Sequence, residues 1–264
     1  DPITTISSPN AFHQCNSLDT LVIFISGDVI KQFDMRPFSS FKNIVIVNDV
    51  HSILRSSFKG WPCMTSISIP ETVKCIESFA FCGCTSLKEI ELPSSTETIG
   101  DTAFGECSSL TKITIPNSVK EIGASAFSGC IFLKEIEIPS SITSISDYMF
   151  GGCLLLSKVV IPSSVESIGN SSFRGCCELV SITVPSSVKS IGASCFQGCS
   201  SLQEFIIPSS LDMIQPYLFK DCKSLQQITI PSSVVSICTH AFTKCTALKE
   251  IIIPQSVNSI GSNA

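Results

Sequence analysis

Fifteen cysteines and three histidines are the side chains of this 264-residue chain best suited to nucleophilic, redox or metal chemistry. Each such chemistry needs partners. A nucleophile needs a base within hydrogen-bond reach and a third group to orient that base. A structural zinc site needs paired ligands at C-x-x-C or equivalent spacing. The histidines, His13, His51 and His240, stand far apart in the chain, and no carboxylate recurs beside them. Cys82 with Cys84, and Cys238 with His240 and Cys245, are the tightest potential ligand groups, but neither has paired spacing. Serine is abundant, yet there is no G-x-S-x-G, H-E-x-x-H or glycine-rich phosphate loop. The residues therefore predict no catalytic set, no metal site and no cofactor.

The cysteines do have an order, and it is not that of a site. Eight of them fall at 84, 107, 130, 153, 176, 199, 222 and 245, always 23 apart. Proline recurs with the same period from Pro70 to Pro254, phenylalanine from Phe81 to Phe242, and leucine from Leu87 to Leu248. The consensus is I-P-S-S-V-x-x-I-G-x-x-A-F-x-x-C-x-S-L-x-x-I-x. The frame extends upstream in weaker form. Phe58, Met35 and Phe12 continue the Phe column; Met64, Phe41 and Leu18 continue the Leu column; Trp61, Phe38 and Cys15 take the Cys slot. In the first row Ile3 and Ile6 sit one place early. The reading is one repeat domain over 1–264, with degenerate rows over 1–69, regular 23-residue repeats over 70–264 and an incomplete last row.

One repeat cannot bury its own apolar residues, but a stack of identical ones can. "LKEIEIP" reads as a short strand with Ile136 and Ile138 on one face and Glu135 and Glu137 on the other. Pro139 then stops the pairing, because it has no N–H to give. "SSV" makes a turn, Val119 and Ile122 point inward, and Gly123 permits a second turn, with positive φ the conformation glycine best tolerates. "ASAFSGC" is too short for an independent helix and reads as a single helical or 3-10 turn that tucks Ala126, Phe127 and Cys130 inside. Stacked cysteines with parallel Cβ vectors, about 5 Å apart, do not meet disulfide geometry. The ladder is therefore expected to consist of buried thiols acting as small hydrophobes. Of the other cysteines, Cys195 and Cys238 fill small-residue slots, while Cys63, Cys75, Cys82 and Cys177 lie outside the column.

L-x-x-I-x-I, as in "LKEIEI" at 133 and "LTKITI" at 110, resembles the strand signature of leucine-rich repeats. Its continuation into "PSSV" and "IGxxAFxxC" is similar to the BspA-like class. This resemblance covers the chain strongly from about Trp61 onward. It implies an α/β-type leucine-rich-repeat solenoid, with a parallel β-sheet on the concave face and short helical or 3-10 turns and loops on the convex face. BspA-like repeats occur in surface proteins of bacteria and protozoan parasites. The resemblance thus implies a cell-surface or secreted adhesin that binds host or neighbouring-cell proteins. The many thiols keep an intracellular scaffold as the alternative.

Two columns of side chains point away from the core on the strands. The first runs Glu89, Lys112, Glu135, Lys158, Ser181, Glu204, Gln227, Glu250. The second runs Glu91, Thr114, Glu137, Val160, Thr183, Ile206, Thr229, Ile252, and Val22 and Val45 extend it upstream. The first alternates in sign over four rows, which suits a solvated salt ladder. The second places apolar side chains outward, which marks an interface. The candidate ligand-binding residues are therefore Glu91, Glu137, Val160, Thr183, Ile206, Thr229, Ile252, Lys112 and Lys158. Phe132, Leu154 and Leu155, where other rows carry serine, form a second apolar candidate for self-association. Asn170 opens an N-S-S glycosylation sequon. The net charge of -5 offers no footprint for nucleic acid. No apolar run is long enough to span a membrane, and "DPITTISSPN" does not read as a signal peptide. The expected partners are other proteins, and any membrane attachment would come through a segment absent from this chain.

Overall fold

The computed structural model describes residues 18–24, 29–30, 40–47 and 50–264. Expectations for Ile3, Ile6, Phe12, His13, Cys15, Met35 and Phe38 lie outside those residues. The chain falls into two compact units, Asp1–Ile131 and Phe132–Ala264, each a stack of coils in parallel β-solenoid form.

In the first unit the strands Thr20–Phe24, Asn43–Val47 and Ser66–Ser68 form one parallel sheet. Glu89–Glu91 pairs with Lys112–Thr114 in another. Leu21 lies opposite Ile44, and Ile44 opposite Ile67, so the degenerate rows share the phase of the regular ones. In the second unit Glu135–Glu137 pairs with Lys158–Val160, and Glu204–Ile206 with Gln227–Thr229. Every partner is 23 residues away. The middle residue of each three-residue strand faces the core and its neighbours face solvent, as a period of two requires. Ile113, for example, is buried between exposed Lys112 and Thr114.

The core columns are the ones the period predicts. Phe58, Phe81, Phe104 and Phe127 stack at 5.2–5.6 Å between ring centroids and within 6° of parallel. In the second unit the stack runs through Phe150, Phe173, Phe196, Phe219 and Phe242 at 5.5–5.8 Å. Offset stacks of this kind contribute about 0.5–1.5 kcal/mol per pair beyond the area they bury. Val119, Ile122, Ala126, Cys130, Leu133, Ile136 and Ile138 are all buried, as expected.

Three local expectations need correction. First, no helix, α or 3-10, occurs among the described residues. The segment read as a helical turn alternates its amide donors instead. The N–H groups of Phe79, Phe81 and Gly83 bond forward to the Asp101, Ala103 and Gly105 carbonyls of the next coil. Those of Ala80, Cys82 and Cys84 close tight turns onto Glu77, Phe79 and Phe81. A helix would consume every donor internally; here half of them join the coils. The alternation needs left-handed residues, and these recur every 23 positions, from Ser56 through Phe79, Thr102 and Ser125 in the first unit.

Second, positive φ belongs to the later glycine column, such as Gly198 at +76°, and not to Gly123. Gly123 is needed because a Cβ there would meet the Asp101 backbone nitrogen of the preceding coil at 2.4 Å. Third, the stretch after "SSV" is a second line of two-residue parallel strands. In the first unit these are Val29–Ile30, Ser52–Ile53, Cys75–Ile76, Thr98–Ile99 and Glu121–Ile122. In the second unit Ser144–Ile145, Ser167–Ile168 and Ser190–Ile191 form one group, and Met213–Ile214, Ser236–Ile237 and Ser259–Ile260 the other.

Candidate functional site

Strand pairing brings the outward residues into rows. Glu89 faces Lys112 and Glu91 faces Thr114. Glu135 faces Lys158, Glu137 faces Val160, and Ile206 faces Thr229. All nine predicted binding residues are exposed: Glu91 and Lys112 on the first unit, and Glu137, Lys158, Val160, Thr183, Ile206, Thr229 and Ile252 on the second. Thr183 and Ile252 lie in segments that form no strand, and both are exposed. Ile206 is 80% exposed, Ile252 74% and Val160 44%. Their counterparts one residue earlier, Phe205 and Val159, turn inward. The first unit shows Val22 and Phe24 exposed on its earliest strand.

The alternating charges do not form the expected salt ladder. Neither Glu89 with Lys112 nor Glu135 with Lys158 closes to ion-pair distance, although each pair is in register. Their charges remain available to a partner. Ion pairs among the described residues lie elsewhere: Lys244 is 3.7 Å from Asp221, and the others stand beside the two-residue strands. Glu97 sits between Lys120 at 2.8 Å and Lys74 at 3.9 Å, and Glu166 meets Lys189 at 2.7 Å. The Lys120 ammonium, through its hydrogen bond and then its charge, holds the Glu97 carboxyl below the ordinary glutamate range, and Lys189 does the same to Glu166.

This arrangement of 23-residue coils matches a known repeat. The family model for the BspA type leucine rich repeat region matches in six copies over residues 4–63, 51–180 and 166–264. The chain belongs to the BspA-type leucine-rich repeat family. Among curated proteins none matches it. A leucine-rich repeat protein from Bacteroides ovatus is similar in structure, with TM-score 0.79 and 26% identity, over 92% of this chain and 72% of that one. The T. pallidum leucine-rich repeat protein is also 26% identical, with TM-score 0.55 over 70% of this chain and 78% of its own. A leucine rich cell surface protein from Faecalibacterium prausnitzii is 27% identical, with TM-score 0.49 over 84% of this chain and 88% of its own.

In this BspA-type frame the cysteine column has a more specific role than filling space. Cys84, Cys107, Cys130, Cys176, Cys199, Cys222 and Cys245 each donate Sγ–H to the carbonyl of the phenylalanine 26 residues earlier, at 3.1–3.4 Å. Burial pushes the Cys176, Cys199 and Cys222 thiols well up, and Cys245 to about 11, so the donor proton stays in place. All fourteen described cysteines are free thiols, with Cys63 exposed. Cys84 and Cys245 serve the ladder, and no set of three or more ligating residues gathers among the described residues.

The serine-rich turns are tied in the same way. The Ser95, Ser164, Ser187, Ser233 and Ser256 hydroxyls each donate to a carbonyl 22 residues back, at 2.7–2.8 Å. The sequon residues are absorbed as well. Asn170 donates Nδ2–H to both Asp147 oxygens and accepts from the Ala193 amide at 2.9 Å. The fully buried Ser172 hydroxyl serves the Ser146 and Gly169 carbonyls. Phe132 and Leu154 are exposed on adjacent coils of the second unit, with Leu155 half-buried beside them.

Two features had no place in the sequence reading. Aromatic residues occupy the left-handed column at Phe79, Tyr148, Tyr217 and His240. Arg55 and Lys59 each lie 5.0 Å from the Phe79 ring centre, Lys220 lies 5.4 Å from that of Tyr217, and His240 stacks on Tyr217 at 5.0 Å. Thr243 spends its hydroxyl proton on the Asn263 carbonyl, so the His240 Nδ1–H is the donor in their 3.1 Å contact. The period gave the signal, since these residues repeat at multiples of 23, but it did not show that the column is left-handed. The second feature is a groove of about 420 Å³ in the first unit, lined by Arg55, Glu77, Thr98, Asp101 and Glu121 among others. Two of its three carboxylates are already spent: Glu77 accepts the Arg55 amide and Asp101 the Ala124 amide.

Proposed function

We propose that this chain is a non-enzymatic protein-binding module of a cell-surface or secreted adhesin, and that it engages host or neighbouring-cell proteins through its strand face. The observation that carries the reading is Ile206, a large apolar residue 80% exposed at a strand end, with Val160 and Ile252 exposed at the same position of their repeats. Burying such a side chain is worth about 1.5–3 kcal/mol, so each is a candidate anchor. Thr183 and Thr229 between them, and Glu91, Lys112, Glu137 and Lys158 around them, would set orientation and charge. The surface location rests on the family, whose repeats occur in bacterial and protozoan surface proteins. The test is binding of labelled chain to intact mammalian cells and to immobilised extracellular-matrix proteins. Ile206→Glu and Ile252→Glu are each expected to weaken binding about tenfold or more while circular dichroism stays unchanged. Undiminished binding by both variants refutes the strand face.

A second reading, an intracellular scaffold, is favoured by the fourteen free thiols, one of them exposed. Labelling of living cells with a membrane-impermeant reagent separates the two, because only a surface protein reacts.

A further inference from the structure

We infer that the second unit pairs with a second copy of this chain through an apolar run bordered by opposite charges. Phe132, Leu154 and Val180 are exposed, and Leu155 is half-buried next to Leu154. Several other rows carry serine where Phe132, Leu154 and Leu155 stand, as at Ser108 and Ser109 or Ser200 and Ser201. Val180 occupies a position that is polar in every other regular row, among them Lys88, Lys134 and Gln203. Apolar side chains thus replace polar ones on three consecutive coils, and contiguous apolar exposure marks an interface.

Backbone hydrogen bonds fix how these coils lie beside one another. The Lys134 carbonyl accepts the Ser157 amide at 2.9 Å, at the later end of the middle segment. The Glu178 amide donates to the Leu154 carbonyl at 3.1 Å, at its earlier end. The order of apolar residue and charge also reverses: Phe132 precedes Lys134, whereas Val180 follows Glu178. The run therefore crosses the coils obliquely, from Phe132 through Leu155 to Val180. Exposed Lys134 stands on one side of it and exposed Glu178 on the other. Neither takes part in an ion pair among the described residues.

That layout complements itself. In a face-to-face dimer the twofold axis lies in the interface, and what stands on one side of the axis meets what stands on the other side in the second copy. With the axis along the run, apolar residues pack on apolar residues, and Lys134 of each copy meets Glu178 of the other. Like charges on the two sides would instead repel a second copy. So short a run makes a small interface, below about 1,200 Å² in total, and a weak dimer with a Kd of about 10–100 µM.

The test is sedimentation equilibrium on the intact chain, with reductant present so that exposed Cys63 forms no cross-link. A reversible dimer is expected, and Leu154→Glu should weaken it about tenfold or more. Lys134→Glu and Glu178→Lys should each weaken it about threefold or more, and the double variant should regain the original strength. A mixture of the two single variants should form a heterodimer tighter than either homodimer, because every facing pair is then unlike in charge. The two single variants move the net charge in opposite directions, so general repulsion would not weaken both. Circular dichroism checks that each variant is folded. A chain that stays monomeric to about 0.5 mM leaves the run to a different protein and overturns the inference. So does a dimer indifferent to Leu154→Glu, or one that neither the double variant nor the mixture restores. If Ile206→Glu abolishes the dimer and Leu154→Glu does not, self-association runs through the strand face and the inference fails.

Discussion

Substitution of Cys199 separates two accounts of the cysteine column that predict opposite orders of stability. Cys199 is fully buried, and its Sγ lies 3.2 Å from the Phe173 carbonyl. That carbonyl also accepts the Cys176 amide at 3.1 Å, so losing the thiol leaves it with one bond instead of none. The cost is then that of an ordinary hydrogen bond, about 0.5–1.5 kcal/mol, and not that of an orphaned buried group. Removing the sulfur also forfeits the burial of one heavy atom, about 0.8 kcal/mol if counted as a methylene. Cys199→Ala should therefore lose roughly 1.3–2.3 kcal/mol. Cys199→Val fills the space but cannot donate, and it adds a methyl to a tightly packed column; it should be no better than alanine. Cys199→Ser keeps a donor aimed at the carbonyl and should be the mildest of the three. If the thiol were only a small hydrophobe, the order would reverse, with valine best and serine worst. Urea unfolding followed by circular dichroism, with m-values compared across the series, measures the order. Valine outlasting serine would refute the donor role.

Other outcomes follow from the same geometry. Phe196 is fully buried and stacked between Phe173 and Phe219 at 5.6 and 5.8 Å, so Phe196→Ala should cost about 3–5 kcal/mol in the same unfolding experiment; a loss below about 1 kcal/mol would contradict a shared ring column. The Glu97 carboxyl should titrate below the ordinary glutamate value by carbon-13 NMR, and Lys120→Met should move its midpoint back up. Since the folded pKa is lowered, whatever stability this pair gives is present above the unfolded pKa and lost as pH falls through the folded one. Maleimide applied to native protein, with modified peptides mapped by mass spectrometry, should label Cys63 early, while Cys107, Cys176 and Cys199 react only after denaturation; native labelling of the ladder thiols would show that the column is open.

The inward columns were legible because a stack copies one coil onto the next. Phe81, Phe104, Cys107, Leu110 and Ile113 each recur at 23, and each is buried. The outward residues were legible for the same reason, since strand alternation leaves Lys112 and Thr114 nowhere to go but solvent. The segment around the phenylalanine column was not. "ASAFSGC" is compatible with a helical turn when one coil is considered alone, and only the neighbouring coil's carbonyls make the alternating pattern better. Likewise the charge column chosen from sequence, Glu89 with Lys112, makes no ion pair, whereas Lys74, Glu97 and Lys120 do. Both columns alternate in sign, and sign alone does not tell which of them closes to ion-pair distance.

The sequence by itself determined the period, and the period determines which residues meet their own counterparts, which are hidden and which face outward. Only the tertiary structure decided where the backbone and side-chain donors go. Amides of the Phe79 to Gly83 segment reach forward to carbonyls one coil on, and ladder thiols reach back 26 residues. The physical reason is that burial follows from side-chain type repeated in register, and so can be counted along the chain. A hydrogen bond depends on the relative direction of two groups in different coils, which no single repeat contains.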